Sequence, residues 1–183
     1  MTFLLIASML WDKGVAEFVE AARQLRSEFH DVRFQLLGFL DVSNRTAISR
    51  GQMQVWESEE IIEYLGETDD VRPYIADADC VVLPSYREGL PRTLLEAASM
   101  GRPIIAADVT GCREVVDHGV NGYLCKAKDK SDLSEKMKDM IKLSIDERRE
   151  MGLRGRKKIE ENFDEKIVVQ KIFNRIESIL NAA

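Results

Sequence analysis

The sequence predicts an α/β protein built on one parallel sheet of about six strands with helices on both faces. Three observations carry that expectation. Short apolar runs such as Cys80-Val81-Val82-Leu83 have strand length and no polar alternation, as strands buried on both faces do. Segments with helical spacing separate these runs, and strand–helix alternation implies parallel pairing through right-handed crossovers. After Ser131 the pattern turns entirely helical, giving a helical segment over about 129–183 in a single domain spanning 1–183.

Met1 to Ala7 reads as the first strand. It is too short to span a membrane, and without a basic start it is not a leader. A chain opening inside a fold in this way fits an excised domain or a split gene. Val15, Phe18, Val19, Ala22, Leu25 and Phe29 follow helical spacing, and Val32 to Gly38 is the second strand. Phe39 to Thr46 reads as a polar loop and Ile48 to Glu59 as a helix. Ile61 to Leu65 is the third strand, ended by Gly66. A short helix over Val71 to Ala76 leads to the Cys80–Leu83 strand. Pro91 suits the first helical position of a segment running to Met100. Pro103 to Ala107 and Gly122 to Cys125 complete the strands. Leu133, Met137, Met140 and Ile141 form a core stripe, followed by a charge-rich helix over Arg148 to Ile159 and a last helix over Ile167 to Leu180.

Composition narrows the function classes. With 183 residues, 45% of them hydrophobic and 32% charged, the chain has the profile of one soluble domain with a sizeable core. Lysine plus arginine number 26 against 32 aspartates and glutamates, and the net charge of −6 argues against a nucleic-acid-binding face. Cys80, Cys112 and Cys125 are odd in number and lack C-x-x-C spacing, so buried reduced thiols are expected. His30 and His118 stand apart without ligand spacing, and no metal is expected.

The chemistry concentrates in Arg87-Glu88-Gly89-Leu90-Pro91-Arg92-Thr93-Leu94-Leu95-Glu96. Glu88 lies on the loop after a buried strand and Glu96 inside the following helix. Helical side chains lean toward the N-terminus, so both carboxylates can face the end where free backbone N–H groups point. Carboxylates accept hydroxyls and N–H groups accept phosphate, a combination suited to a phosphorylated, polyhydroxylated ligand. On these residues alone the pair reads equally as solvated acids drawn to a helix start by its macrodipole.

The surrounding pattern resembles the nucleotide-sugar site of family 4 glycosyltransferases. It comprises Pro84-Ser85-x-x-Glu88-Gly89, Glu96-Ala97 and Gly101-x-Pro103. Asp12-Lys13-Gly14, Leu37-Gly38, Tyr64-Leu65-Gly66 and Ala78-Asp79 precede it, and Gly111-Cys112-Arg113-Glu114 and His118-Gly119-Val120-Asn121-Gly122 follow, all in family order. The wording around Lys13 and Glu88 is most similar to the capsular and lipopolysaccharide branch. The resemblance implies the Rossmann-like, C-terminal donor half of the two-domain GT-B architecture, with the N-terminal acceptor half absent. It also implies metal-independent, retaining transfer of a sugar from a nucleoside diphosphate donor, with uridine the expected base, to a glycan or lipid-linked acceptor. The implied setting is the cytoplasm, or the inner membrane face for a full-length enzyme. In that family the last helix crosses toward the N-terminal half, which would leave Ile172, Phe173, Ile176 and Ile179 exposed.

The same resemblance assigns roles. Lys13 takes the diphosphate, Glu88 the donor-sugar hydroxyls and Glu96 the ribose diol, with Lys13 and Glu88 as the catalytic pair. Gly89 and Leu90 offer backbone N–H groups, while Pro91, which stands where many relatives have glycine, offers none. Gly66, Glu67 and Thr68 border the base, and Gly111 closes the site from the loop after the fifth strand. Ser8 occupies the position five residues before the lysine where relatives place a phosphate-contacting arginine. Arg87, Arg92 or Arg113 could stand in for it. Two rival readings remain: a non-catalytic nucleotide-sugar module or split subunit, and a nucleotide-sugar epimerase, which shares the architecture.

Overall fold

A computed structural model of the chain describes residues 1–180. In chain order it contains β1 (Thr2–Ile6), a 3-10 turn (Trp11–Lys13), α1 (Val15–Arg26), β2 (Arg33–Leu37), α2 (Arg50–Ser58), β3 (Glu63–Tyr64), α3 (Arg72–Asp77) and β4 (Cys80–Leu83). Then follow α4 (Arg92–Ser99), β5 (Ile104–Ala107), α5 (Thr110–Val115), β6 (Gly122–Cys125), α6 (Lys130–Lys142), α7 (Ile145–Asn162) and α8 (Glu165–Leu180). The six strands form one sheet in the order β3-β2-β1-β4-β5-β6, and every pairing is parallel. The order reverses between β1 and β4, where Phe3 pairs with Cys80 and Leu4 with Val81.

Strand side chains alternate between two cores. Phe3 and Leu5 pack with Phe18, Phe34 and Leu133 on one face, whereas Leu4 and Ile6 pack with Val81, Leu94 and Cys112 on the other. With helices over both faces, β1, β4 and β5 are buried throughout and read as unbroken apolar runs, whereas β2 exposes Arg33 and half-buries Gln35. All three cysteines are free and buried.

Four expectations need correction. The third strand is two residues long, because only Glu63 and Tyr64 pair with β2 at this sheet edge. Ile61 and Ile62 are apolar because they pack into the first core. Pro91 is the cap residue of α4, with extended backbone, and the helix begins one residue later at Arg92. Gly111 does not lie in a loop after β5; it is buried in the first turn of α5, a helix the sequence reading did not contain. The charge-rich helix begins at Ile145, where Ser144 and Glu147 form a reciprocal capping box.

The C-terminal helices pack differently. A Cβ on Gly152 of α7 would stand 1.9 Å from the Gly101 carbonyl oxygen, so only glycine lets α7 lie against the turn entering β5. The last helix, α8, contains no buried residue, and Ile172, Phe173, Ile176 and Ile179 are 48–58% exposed. That matches the exposure expected of them.

Candidate functional site

The site grows from the reversal of strand order between β1 and β4, the position beyond the carboxyl ends of a parallel sheet where doubly wound domains bind ligands. The loop after β1 turns through the 3-10 segment and ends at Gly14, whose φ of 74° suits glycine. A Cβ there would stand 2.2 Å from the Pro84 carbonyl oxygen, so the β1 loop lies directly on the β4 loop. The buried Ser85 hydroxyl (3.2 Å) and the Tyr86 N–H (2.9 Å) both donate to the Asp12 carbonyl and fasten the loops together.

This apposition sets Lys13 Nζ 2.7 Å from Glu88 Oε1, with side chains 28% and 12% exposed. The loop carrying Glu88 is held from the other side by α5. A Cβ on Gly111 would lie 1.9 Å from the Gly89 carbonyl oxygen and 2.7 Å from that of Glu88. Cys112 lies next to this contact. Its thiol is pushed up to about 12, mainly by burial and then by the Glu88 charge, with Lys13 opposing, so it remains protonated and inert at neutral pH. Burial also raises Cys80, and raises Cys125 to about 12.

Helix α4 starts beside the pair. Pro91 supplies no side-chain cap and the first turn carries no acid. Thr93 Oγ1 donates to the Ile6 carbonyl (3.4 Å), fixing the helix start against the end of β1. Amides at such a start are oriented outward, and the macrodipole favours an anion there. Glu96 reaches back one turn to Arg92, with Nη2 to Oε1 at 3.4 Å, so its carboxylate does lean toward the N-terminal end. A Cβ on Gly89 would meet nothing within 4 Å, which leaves its outer side open.

The remaining assigned residues are Ser8 on the loop after β1 and Gly66, Glu67 and Thr68 on the loop after β3. Ser8 is half-buried between Ala7, whose N–H donates to Leu37 O, and Met9, whose N–H donates to Phe39 O. Gly66 lies beyond β3, three strand spacings from β4 and so about 14 Å across the sheet. It is linked inward by the Gly38 N–H, which donates to Gly66 O at 2.8 Å. The Thr68 hydroxyl is occupied by its own turn, accepting from the Asp70 N–H and donating to its carbonyl, both at 3.1 Å. Only an extended ligand reaches from Glu88 to this loop. Among the possible stand-ins for an arginine at Ser8, Arg113 is committed to Asp108 at 2.6 Å, and Arg92 to Glu96.

The sequence reading missed one support. Tyr86 Oη donates to Glu17 Oε1 at 2.7 Å, anchoring the β4 loop on α1, and Lys128 Nζ lies 4.7 Å from the centre of the tyrosine ring. Burial, and then the hydrogen bond to Glu17, push the tyrosine up to about 12, which keeps the hydroxyl a donor. A glutamate near the polar start of an amphipathic helix carries no local signal of this partner 69 residues away.

The strand order, which reverses between β1 and β4, defines a doubly wound α/β domain of the kind that binds ligands at the carboxyl ends of its strands. The family follows from the sequence itself. Residues 1–142 match the model of glycosyl transferases group 1, and the chain belongs to that family. One relative, the N,N'-diacetylbacillosaminyl-diphospho-undecaprenol alpha-1,3-N-acetylgalactosaminyltransferase of Campylobacter jejuni, is 33% identical over 177 residues, covering 94% of this chain and 44% of that protein. Sucrose-phosphate synthase from Thermosynechococcus elongatus superposes with a TM-score of 0.86 at 21% identity, over 100% of this chain and 46% of the synthase. Anabaena HepE in complex with UDP gives a TM-score of 0.85 at 22% identity, over 97% and 48%. The chain thus spans less than half the length of the relatives it matches.

Proposed function

We propose that this domain binds a nucleoside diphosphate sugar, with UDP as the nucleotide, across the β1–β4 crevice as the donor half of a retaining glycosyltransferase. The observation that carries the reading is the Lys13–Glu88 pair beside the uncapped start of α4 at the point where strand order reverses. An ammonium has three donors, so Lys13 can keep Glu88 and still give two to a diphosphate. The N–H groups of Gly89 and Leu90 add to that contact, Glu88 accepts sugar hydroxyls, Glu96 accepts the ribose diol, and the base extends toward Gly66, Glu67 and Thr68. Ser8 borders the diphosphate and Pro91 with Arg92 the entrance to α4, while Gly111 acts through the backbone of Glu88 and Gly89.

In the reaction, the bond from the anomeric carbon to the diphosphate oxygen breaks, the acceptor hydroxyl oxygen bonds to the same face, and the diphosphate leaves with the bonding electrons and takes up the hydroxyl proton. Fixed positive charge from Lys13 and the start of α4 stabilises the charge that grows on it, without a metal ion. The acceptor is a polysaccharide or lipid-linked glycan, in keeping with the named activity of the Campylobacter relative. Acceptor-orienting groups would come from a second half, so this chain alone is expected to bind donor without transferring sugar. On this reading catalysis takes place in the cytoplasm, or at the inner membrane face for a full-length enzyme; among the described residues no helix is long and apolar enough to cross a membrane.

Ser8 favours a second reading, a binding module with weakened leaving-group stabilisation. Calorimetry with UDP tests the shared part. Wild type is expected to bind and a folded Glu96→Ala variant to bind at least several-fold more weakly; equal affinities would remove Glu96 from the ribose. A labelled-donor assay tests the need for a second half: sustained acceptor glycosylation by this chain alone would refute it.

A further inference from the structure

A second cavity lies on the opposite edge of the sheet. It has a volume of about 330 Å³ between α7 and the turn entering β5, and its wall includes Asp79 and Pro103, which immediately precede β4 and β5. Arg102, Arg148, Arg149 and Arg156 line it, and Asp79 is the one carboxylate among the lining residues. With Arg156 paired to Glu160, the other three arginines against one aspartate leave two positive charges in excess, in a chain whose net charge is −6.

Arg102, Arg148 and Arg149 differ from the paired cations of α7. Arg154 pairs with Glu150, Arg156 with Glu160, Lys157 with Glu161 and Lys158 with Asp117, at 2.8–3.8 Å. Among the described residues, neither Arg148 nor Arg149 nor Arg102 has a carboxylate within 4.0 Å. Arg148 and Arg102 each give one N–H to a backbone carbonyl, of Leu143 and Ala76. The Nε of Arg102 is buried with no hydrogen-bond partner. Asp79 is already engaged, accepting the Thr2 N–H at 2.7 Å.

The sequence spacing is also purposeful. Positions 145, 148, 149, 152 and 156 fall on one face of a helix. Arg148 and Arg149 stand at the fourth and fifth positions of α7, directly after its acidic first turn. The wall is fixed by the contact of Gly152 with the Gly101 carbonyl, so the arginines are presented by a rigid turn and a packed helix. Ile145 and Leu153, 76% and 53% exposed, form an apolar rim.

We propose that this cavity is a second anion site, distinct from the nucleotide crevice, that binds a phosphate group through the guanidinium forks of Arg102, Arg148 and Arg149. Guanidinium groups match phosphate oxygens bidentately, and a bound phosphate would offset the repulsion among the arginines. The phosphate can come from solution or from a lipid headgroup whose chains meet the Ile145–Leu153 rim, and the experiment separates these sources.

The test compares the wild-type chain, Lys13→Ala and the double variant Arg148→Gln/Arg149→Gln. Calorimetry with inorganic phosphate is one arm, and flotation with phosphatidylcholine vesicles with and without phosphatidic acid is the other. Wild type and Lys13→Ala are expected to bind at least one of the two probes, and the double variant to bind it roughly tenfold or more weakly, since two charge-assisted contacts are lost. Binding confined to phosphatidic acid vesicles identifies a headgroup site; binding of inorganic phosphate identifies a soluble anion. Should the double variant fail to fold, the arginine Nε–Hε resonances of the wild type decide, because phosphate must shift that of Arg102. Absence of binding to both probes, binding indifferent to the double substitution, binding abolished by Lys13→Ala, or an unmoved Arg102 resonance would overturn the proposal.

Discussion

The two carboxylates of the site are held in opposite ways. Glu88 sits on a loop fixed from three sides: by Gly14 against Pro84, by Gly111 against its own peptide, and by Lys13 on its carboxylate, which leaves the side chain 12% exposed. Glu96 sits on the first turns of a helix, 36% exposed, with one long contact to an arginine that is itself 89% exposed. Glu88 is therefore positioned before any ligand arrives, and its charge is already balanced. Glu96 is free to reorient and can exchange its surface partner for a ligand hydroxyl at little cost. Preorganisation belongs to the residue next to the bond that would break, and adaptability to the residue that would hold the far end of the ligand.

The sharpest way to break this contrast is Gly111→Ala. The new methyl would stand 1.9 Å from a backbone oxygen, so the Glu88–Gly89 loop or α5 must move. Overpacking of this kind costs about 1–3 kcal/mol, or more where only backbone can yield. Urea unfolding is expected to show that loss, and calorimetry a fall in UDP affinity beyond that of Glu96→Ala. Gly51→Ala serves as the control, since a Cβ there meets nothing within 4 Å; it is expected to leave nucleotide binding unchanged. If Gly111→Ala folds and binds as wild type does, the loop is not held as described.

A smaller effect is expected from Lys13→Met, and it divides structure from function. Removing the ammonium leaves a mostly buried Glu88 without its partner, at a cost of about 1–3 kcal/mol. Adding Glu88→Gln removes the unpaired charge and is expected to recover most of the stability while UDP affinity stays low. Recovery of both would mean that Lys13 serves only to neutralise Glu88.

Much of this was legible in the chain. Doubly buried strands announce themselves as apolar runs, and the order of the motifs around Lys13, Glu88 and Glu96 pointed to the crevice. The ion pair itself was not legible, because Lys13 and Glu88 are 75 residues apart and meet only through the adjacency of β1 and β4, which strand order along the chain does not reveal. Helix α5 escaped notice because Thr110-Gly111-Cys112-Arg113-Glu114-Val115 is short and carries a glycine near its start, and that glycine answers to a distant backbone. Ile61 and Ile62 looked like strand because burial in the core leaves the same apolar signature as burial in a sheet. The arginine cavity had no motif at all, since Arg102 comes from a turn and the others from α7.

The smallest effect is expected from Arg92→Ala, which sharpens the account of Glu96. The Arg92–Glu96 contact joins residues one turn apart at 3.4 Å on a solvated face, a class of pair that contributes about 0.3–0.5 kcal/mol. Alanine is also the better helix former, which offsets part of that loss. Stability is therefore expected to change by less than about 0.5 kcal/mol. If Arg92 does no more than occupy Glu96 until a diol arrives, its removal leaves UDP affinity within about twofold, because a pair this weak competes little. The change should also fade with added salt, as exposed pairs are screened. Calorimetry at low and high salt measures this. A large loss of UDP affinity in a folded Arg92→Ala variant would instead place the guanidinium on the ligand, most simply on the diphosphate near the start of α4, where it would replace the arginine that Ser8 lacks.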